Sequence, residues 1–350
     1  MILTRIVYLG RGGCGTLGAP VELTKPAGEV ARRMETAIET VGLTHLYGRR
    51  GSSPAVTGVD LTIAPGQLYG LVGPDGAGKT TILRLLAGVI PLRDGEARVA
   101  GHDVRRDAEA VRRSIGYMPQ IFSLYADLTV IENLSFFADI HHVPRARKVE
   151  RIGEMLAFSR LERFRQRRAG QLSGGMKKKL ALACALVHDP RVLLLDEPST
   201  GVDPASRREL WQILARVAEQ GVGVLVTTPY MDEAERCHQV GMLYQGELLT
   251  TGTPQVLTER LPFDIIEVKA KPRKAMREVV AQTGGIRQWR PVGDRLRLSV
   301  SHDNGHADRV LSRLATRLAK NKLDVRLLRH VRPDMEDVFM HLVETQRGSA

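Results

Sequence analysis

Residues 73–81 read GPDGAGKTT, and the residue types in this run suit a nucleotide phosphate. Glycines at 73, 76 and 78 let the backbone take φ > 0 and bring its N–H groups against the phosphates. Lys79 adds a point charge, and the Thr80 hydroxyl can ligate Mg²⁺. Pro74, Asp75, Ala77 and Thr81 complete the loop. Outward from it, GQLYGLVG (66–73) reads as a short apolar strand and TTILRLLAG (80–88) as an amphipathic helix closed by Gly88. The loop is therefore expected at a strand-to-helix turn, where a helix N-terminus receives the anion of ATP or GTP.

Further along, RVLLLDEP (191–198) has four apolar residues, Val192 to Leu195, that read as a buried parallel strand. Asp196 and Glu197 leave its carboxyl end, where ligands of doubly wound sheets bind. Asp196 suits Mg²⁺, directly or through water, and Glu197 suits a general base that polarises the attacking water.

Between these segments lies LSGGM (172–176), followed by KKKLALACALVH. Ser173, Gly174 and Gly175 at a helix N-terminus form an anion cradle like the first loop. With this loop just upstream of the acidic strand, the chain resembles the ATP-binding cassette (ABC) family. Met176 stands where that family most often has Gln, which leaves the backbone cradle intact. The resemblance implies that the cradle faces the γ-phosphate of a nucleotide held by a second cassette. It also implies that Tyr47, in HLYGRR and placed before the first strand, stacks on adenine. Gln120 in GYMPQ resembles the lid-loop glutamine that contacts Mg²⁺ or water, and STGVDP (199–204) resembles the loop that places Asp203 between two cassettes. In order and spacing these landmarks cover residues 41 to about 262.

One landmark departs from the family. In VGVLVTTPYMDEAERC (222–237), Pro229 stands where a switch histidine is usual, and proline has neither an N–H nor a side-chain donor for the γ-phosphate. Thr228 as cap and Pro229 at the first helical position read as a helix start, with Asp232, Glu233 and Glu235 in its first turns. His238, nine residues on along that helix, and His188, at the end of the signature helix, read as surface or packing histidines.

The 350 residues suffice for one large α/β domain and a smaller second one. Cys14, Cys184 and Cys237 are widely separated and lack metal spacing, as in a reducing cytosol. No apolar run approaches the ~20 residues a membrane span needs, and MILTRIVYLGRGGCG has no signal-peptide core. Residues 1–40 read as a flexible extension, or as sequence upstream of a real start at Met34.

Residues 265–350 hold 18 Lys and Arg against 10 Asp and Glu, so they carry +8 of the net +12, whereas residues 41–264 hold 28 against 25. After an apolar-polar strand at 240–254, the pattern reads strand (264–270), helix (273–283), strand (286–292), strand (294–301), helix (307–322), strand (324–331). This βαββαβ order suggests a small α+β, ferredoxin-like accessory domain over 263–350. Its closing PDMEDVFMHLV (333–343) resembles the tail of drug- and antibiotic-resistance type export ATPases. The excess positive charge is open to three readings: anionic lipid headgroups, nucleic acid or a solvated face.

The expected architecture is a P-loop NTPase cassette over 41–262, a mostly parallel sheet core with a helical subdomain at about 121–187, plus the accessory domain. The resemblance implies an ATPase at the cytoplasmic face of the inner membrane that energises export of a drug-like or lipid-like molecule through a separate permease. It implies catalytic roles for Glu197, Lys79 and Gln120, metal ligation by Thr80, Gln120 and Asp196, and ATP and Mg²⁺ as cofactors. Partners are a second cassette, in a homo- or heterodimer, and the permease, docked near the apolar segment 121–137. No specific nucleic acid is expected. Two alternatives stay open: a weakly hydrolysing regulatory cassette, motivated by Pro229, and a soluble non-transport ABC ATPase, which would need a second cassette or long heptads.

Overall fold

The computed structural model describes residues 36–48, 54–121, 124–302 and 306–349. Met34, Cys14 and most of the expected extension over 1–40 lie outside the described residues, as do 122–123 of the apolar segment. The chain opens with β1 (Ile38–His45), β2 (Val56–Ile63), β3 (Leu68–Val72), α1 (Lys79–Leu86), β4 (Asp94–Val99), β5 (His102–Asp103), α2 (Ala108–Ser114) and β6 (Ile115–Met118). Three helices follow, α3 (Val130–Ile140), α4 (Arg145–Ser159) and α5 (Gly174–Leu186). Then come β7 (Val192–Asp196), α6 (Pro204–Glu219), β8 (Gly223–Thr228), the one-turn α7 (Met231–Ala234), β9 (Gln239–Tyr244) and β10 (Glu247–Gly252). The remainder is α8 (Pro254–Glu259), β11 (Phe263–Lys271), α9 (Arg273–Ala281), β12 (Ile286–Val292), β13 (Arg295–Ser301), α10 (His306–Lys320), β14 (Asp324–Val331) and α11 (Met335–Ser349).

Six strands form the central sheet in the order β10-β9-β3-β8-β7-β6, with only β10 antiparallel to its neighbour. β3 is paired on both edges and buried at every position, and so is β7, which is why both read as unbroken apolar runs. The carboxyl ends of β3, β7 and β8 therefore lie side by side and carry Gly73, Glu197 and Pro229 immediately beyond them. α3, α4 and α5 pack on one another between β6 and β7 in the chain, within the region read as helical from sequence.

Two elements differ from the sequence reading. β1 starts at Ile38, fully buried, and forms a second, antiparallel sheet β2-β1-β4-β5, so Tyr47 follows a strand rather than preceding the first one. One face of this sheet packs against β3 and α1, which gives β1 its alternating buried and exposed residues. Residues 240–254, read as one strand, are the hairpin β9-β10. Gln245 (φ 49°) and Gly246 (φ 86°) both sit left-handed at its tip, the backbone a type I′ turn requires.

The last sheet has the order β12-β13-β11-β14 and is antiparallel throughout. Ile266, Val268, Leu296, Leu298 and Val300 alternate onto one face and pack beneath α9 and α10. Glu267, Arg295, Arg297 and Arg329 meet on the other face. α11 does not join that core. Its Met335 and Val338 are buried in the large apolar cluster that holds Val72, Leu195 and Met242 of the central sheet.

Candidate functional site: a phosphate-loop cleft

The glycine loop joins β3 to α1, as its flanks required. α1 has left-handed Gly78 (φ 105°) at its N-cap and no side chain bonded to its first amides, so those donors stay directed at the cleft. Gly76 is also left-handed (φ 78°), whereas Gly73 is not. Gly73 is required for close approach: a Cβ there would lie 2.1 Å from the Leu243 carbonyl oxygen of β9. The expectation of φ > 0 at all three glycines is corrected on this point.

Lys79 is 4% exposed and donates to the carbonyls of Gly73 (2.8 Å) and Pro74 (3.0 Å). Its Nζ also lies 3.5 Å from Glu197 Oε1, both side chains being buried. A cation held by loop carbonyls and one carboxylate is placed to be shared with a polyanion. Glu197 has φ 48°, a left-handed conformation that costs a non-glycine residue of order 1–3 kcal/mol and recurs at functional sites. Its Oε2 accepts from Gln120 Nε2 (3.0 Å) and Thr200 Oγ1 (3.2 Å). Asp196, 1% exposed, accepts from Thr80 (3.1 Å) and Thr227 (2.7 Å) through Oδ1. Its Oδ2 is buried with no hydrogen-bond partner among the described residues. An orphaned carboxylate oxygen next to a threonine hydroxyl is a donor set that suits a hard divalent cation.

Tyr47, Asp75, Gly76, Ala77, Gly78, Lys79, Thr80, Thr81, Gln120 and Glu197 line one cleft of about 370 Å³. Tyr47 is 46% exposed at its mouth and accepts from Thr81 Oγ1 at 3.4 Å. Ser173, Gly174 and Gly175 line no part of it. Ser173 caps α5 by accepting the Met176 N–H (3.3 Å), and a Cβ on Gly175 would lie 2.4 Å from Ser206 Oγ of α6. Asp203 caps α6 through the Ala205 and Ser206 amides, and the Ser206 hydroxyl, followed by these amides, holds its carboxyl below the usual range. Gly174, Lys178 and Gln120 line a separate groove of about 400 Å³ with Ile121, Leu124 and Ala126.

The turn after β8 also differs from expectation. The Thr228 carbonyl accepts the Gly73 N–H (3.3 Å), which puts Pro229 at the start of the phosphate loop. Pro229 is not at the first helical position, because α7 begins only at Met231 and has Tyr230 as its N-cap. Thr228 Oγ1 accepts the Tyr230 N–H (3.1 Å) and donates to buried Glu233, closing a tight turn instead. His238 lies beyond α7, just before β9, where Nδ1 accepts the Leu68 N–H. His188 stacks on His141 with ring centroids 3.7 Å apart, and burial lowers its pKa to about 4.

Sequence reasoning missed Thr227, whose hydroxyl bonds Asp196 and also accepts the Glu197 N–H at 3.0 Å. The only signal for it is the paired Thr at the end of an apolar run. Lys178 was missed as well. Its Nζ donates to the Gln120 carbonyl (3.3 Å); burial lowers its pKa, while the charges of Glu197 and Asp196 act in the opposite direction.

Comparison with known proteins agrees with this geometry. Residues 56–200 match the family model described as ABC transporter. A Nod factor export ATP-binding protein I of Paraburkholderia xenovorans is 36% identical over 310 residues, covering 88% of this chain and 97% of its own length. A probable multidrug ABC transporter ATP-binding protein of Escherichia coli is 50% identical over 208 residues, 59% of this chain, and the match spans only 36% of that relative's length. Among solved structures, the dimeric post-hydrolysis state of the cassette MJ0796 bound to ADP and Pi superposes with TM-score 0.57 at 26% identity, covering 62% of this chain and 98% of that one. A structure described as the ATP binding subunit of an ABC transporter gives 0.58 at 28% identity, covering 64% and 93%. The phosphate loop, the acidic strand and the near full-length relative together place this chain in the ABC transporter family, as an ATP-binding ATPase cassette.

Proposed function

We propose that this chain hydrolyses Mg-ATP in a composite site shared with a second cassette and so energises export of a drug-like or lipid-like molecule through a separate permease. The observation that carries this reading is the convergence of Lys79, Gln120 and Glu197 beside the orphaned Asp196 oxygen. The Gly76–Gly78 backbone and Lys79 bind the β- and γ-phosphates, Tyr47 packs on the base, and Thr80, Asp196 and Gln120 hold Mg²⁺. When bound, Mg²⁺ supplies charge neutralisation at the phosphate oxygens. Glu197 takes a proton from the attacking water through a carboxylate oxygen, and Gln120 and Thr200 orient that carboxylate. Thr227 fixes both acids by bonding the Asp196 side chain and the Glu197 amide.

The signature loop supports the composite reading, because its cradle lies outside this chain's own cleft and is free to meet a nucleotide on another copy. The groove beside Gln120 is where the permease docks in this reading, which links cargo movement to the lid glutamine. We divide the chain into a cassette over 41–262, which also takes in Ile38 to Thr40 at the start of β1 rather than leaving them to the extension, with its helical subdomain at 121–187, and a ferredoxin-like accessory domain over 263–350. The antiparallel order β12-β13-β11-β14 supports the latter. The assembly works at the cytoplasmic face of the inner membrane. Half-exposed Arg295 and Arg329 offer guanidinium groups to anionic headgroups there. Unchanged, salt-independent liposome binding by an Arg295→Gln, Arg329→Gln protein would remove the lipid role.

The deciding experiment compares Glu197→Gln with Lys79→Ala. Losing the general base should cost roughly 10²- to 10⁴-fold in turnover, while Glu197→Gln still binds Mg-ATP and accumulates as a closed dimer. Lys79→Ala should bind Mg-ATP poorly. A Glu197→Gln protein that stays monomeric on size exclusion, with and without its permease, overturns the composite site.

A further inference from the structure

We propose that the C-terminal helix α11 is a brace for the phosphate loop, acting through the β9-β10 turn, with Arg347 and Tyr244 as its positioning residues. This rests on the reading of the cleft as an ATP site. The turn touches the loop directly: the Gly246 N–H donates to the Ala77 carbonyl at 3.0 Å, in the middle of residues 73–81. The Leu243 carbonyl abuts Gly73, and the Leu243 side chain reaches the space a Cβ on Gly78 would enter, so the hairpin backs the loop at three points. Gly246 also accepts the Thr57 N–H (2.8 Å), which ties the same turn to β2.

α11 grips this turn from its other side. Arg347 Nη2 donates to the Tyr244 hydroxyl (3.1 Å), Gln346 Nε2 donates to Glu247 (3.1 Å), and Phe339 meets the Tyr244 ring edge-on at 6.1 Å. At its N-terminal end the helix is fixed on the accessory sheet, where Arg290 and Arg297 bond Asp337, whose side chain is 4% exposed. At the same N-terminal end, Met335 and Val338 are buried in the cluster that contains Val72, the residue before the loop begins. A rigid helix held at both ends limits how far residues 243–247 can retreat from the phosphate loop. The accessory sheet thereby acts on nucleotide affinity without reaching the nucleotide.

Full-length wild type, Arg347→Ala, Tyr244→Phe and their double variant test this by equilibrium titration with Mg-ATP and by steady-state turnover. Losing one solvent-accessible hydrogen bond predicts about two- to fivefold weaker binding and a matching rise in KM, with kcat unchanged. The double variant should be no weaker than either single one, since both remove the same bond, and Arg347→Lys should recover part of the affinity. Amide exchange at Ala77 to Thr81 should quicken in the same variants. Arg313→Ala, which removes a bond to the Gly284 carbonyl elsewhere in the accessory domain, is the control for general loosening. Wild-type affinity in both single variants, or an equal loss in Arg313→Ala, overturns the brace. If wild type itself bound no Mg-ATP, the nucleotide reading would fall, and the exchange at Ala77 to Thr81 would still decide the brace.

Discussion

The phosphate loop and the signature loop are both glycine turns at helix N-termini, yet the chain treats them differently. At the first, no side chain caps α1, and a buried lysine, two acids and a glutamine surround the open amides. At the second, Ser173 caps α5, Gly175 is pressed against Ser206 with the Asp203 carboxylate beside it, and the groove at Gly174 is lined by Gln120, Lys177 and Lys178. The first loop lines this chain's own cleft. The second lies outside that cleft, and in the proposed composite site it is the donor surface that meets a nucleotide held by another cassette. The same local chemistry is therefore set in two different surroundings, and in the proposed function those surroundings separate binding from assembly.

The widest separation of the two roles is expected from Gly175→Ala. The new methyl group meets both Oγ and Cβ of Ser206, so α5 and α6 must shift apart and carry the signature cradle with them. Turnover should fall by about 10²- to 10³-fold, the range for losing a preorganised donor at a charge-developing site. Mg-ATP binding to the monomer should stay within about twofold, because loop 73–81 is untouched. Equal loss of binding and turnover would break the comparison.

Pro229→His should have a smaller effect. Proline removes one donor at the edge of the cleft, but Gln120, Thr200 and Lys79 already engage Glu197. Turnover of Pro229→His and Pro229→Ala with the permease present should therefore stay within about tenfold of wild type, below the range for losing an uncompensated donor. A hundredfold rise in Pro229→His alone would identify a degenerate site and favour the regulatory alternative.

The smallest effect concerns stability. Burial, with His141 adjoining, holds His188 neutral down to about pH 4, against an unfolded value near 6.5. The unfolded chain takes up the proton first, so His188 contributes fully above pH 6.5 and its contribution is lost as pH falls towards 4. The groups facing it are His141, Arg151 and the Ile115 carbonyl. Between pH 6.5 and 4.5, His188→Asn should lose roughly 1–2 kcal/mol less unfolding free energy than wild type. Hydrogen exchange should rise at the end of α5 before it rises in α1. Identical pH slopes in the two proteins would sink this assignment.

Much of the site was legible because its chemistry is written in contiguous residues. A glycine loop between an apolar run and an amphipathic run dictates its own turn, and Asp196-Glu197 after four apolar residues dictates a strand end. The accessory strands and helices were also readable, since β13 alternates and α9 and α10 carry a helical period. Where sequence reasoning failed, the cause was a partner far along the chain. Nothing in TPYMDE distinguishes a helix start at Pro229 from a turn closed by Thr228 onto Glu233, because burial of Glu233 beside Arg207 decides it. Gly73 looks like its neighbours, yet its reason is the Leu243 carbonyl of a strand 170 positions away, as 243 − 73 gives.

The sequence by itself determined the phosphate loop, the two acids, the signature cradle and the elements of the accessory sheet, because local spacing and periodicity carry those signals. Only the tertiary structure decided that Asp196 keeps one oxygen without a partner among the described residues, that Thr227 steers both acids, and that α11 leaves the accessory core to join that of the central sheet. Each of these depends on which distant surfaces the chain buries together, and burial is a property of the packed whole rather than of any segment.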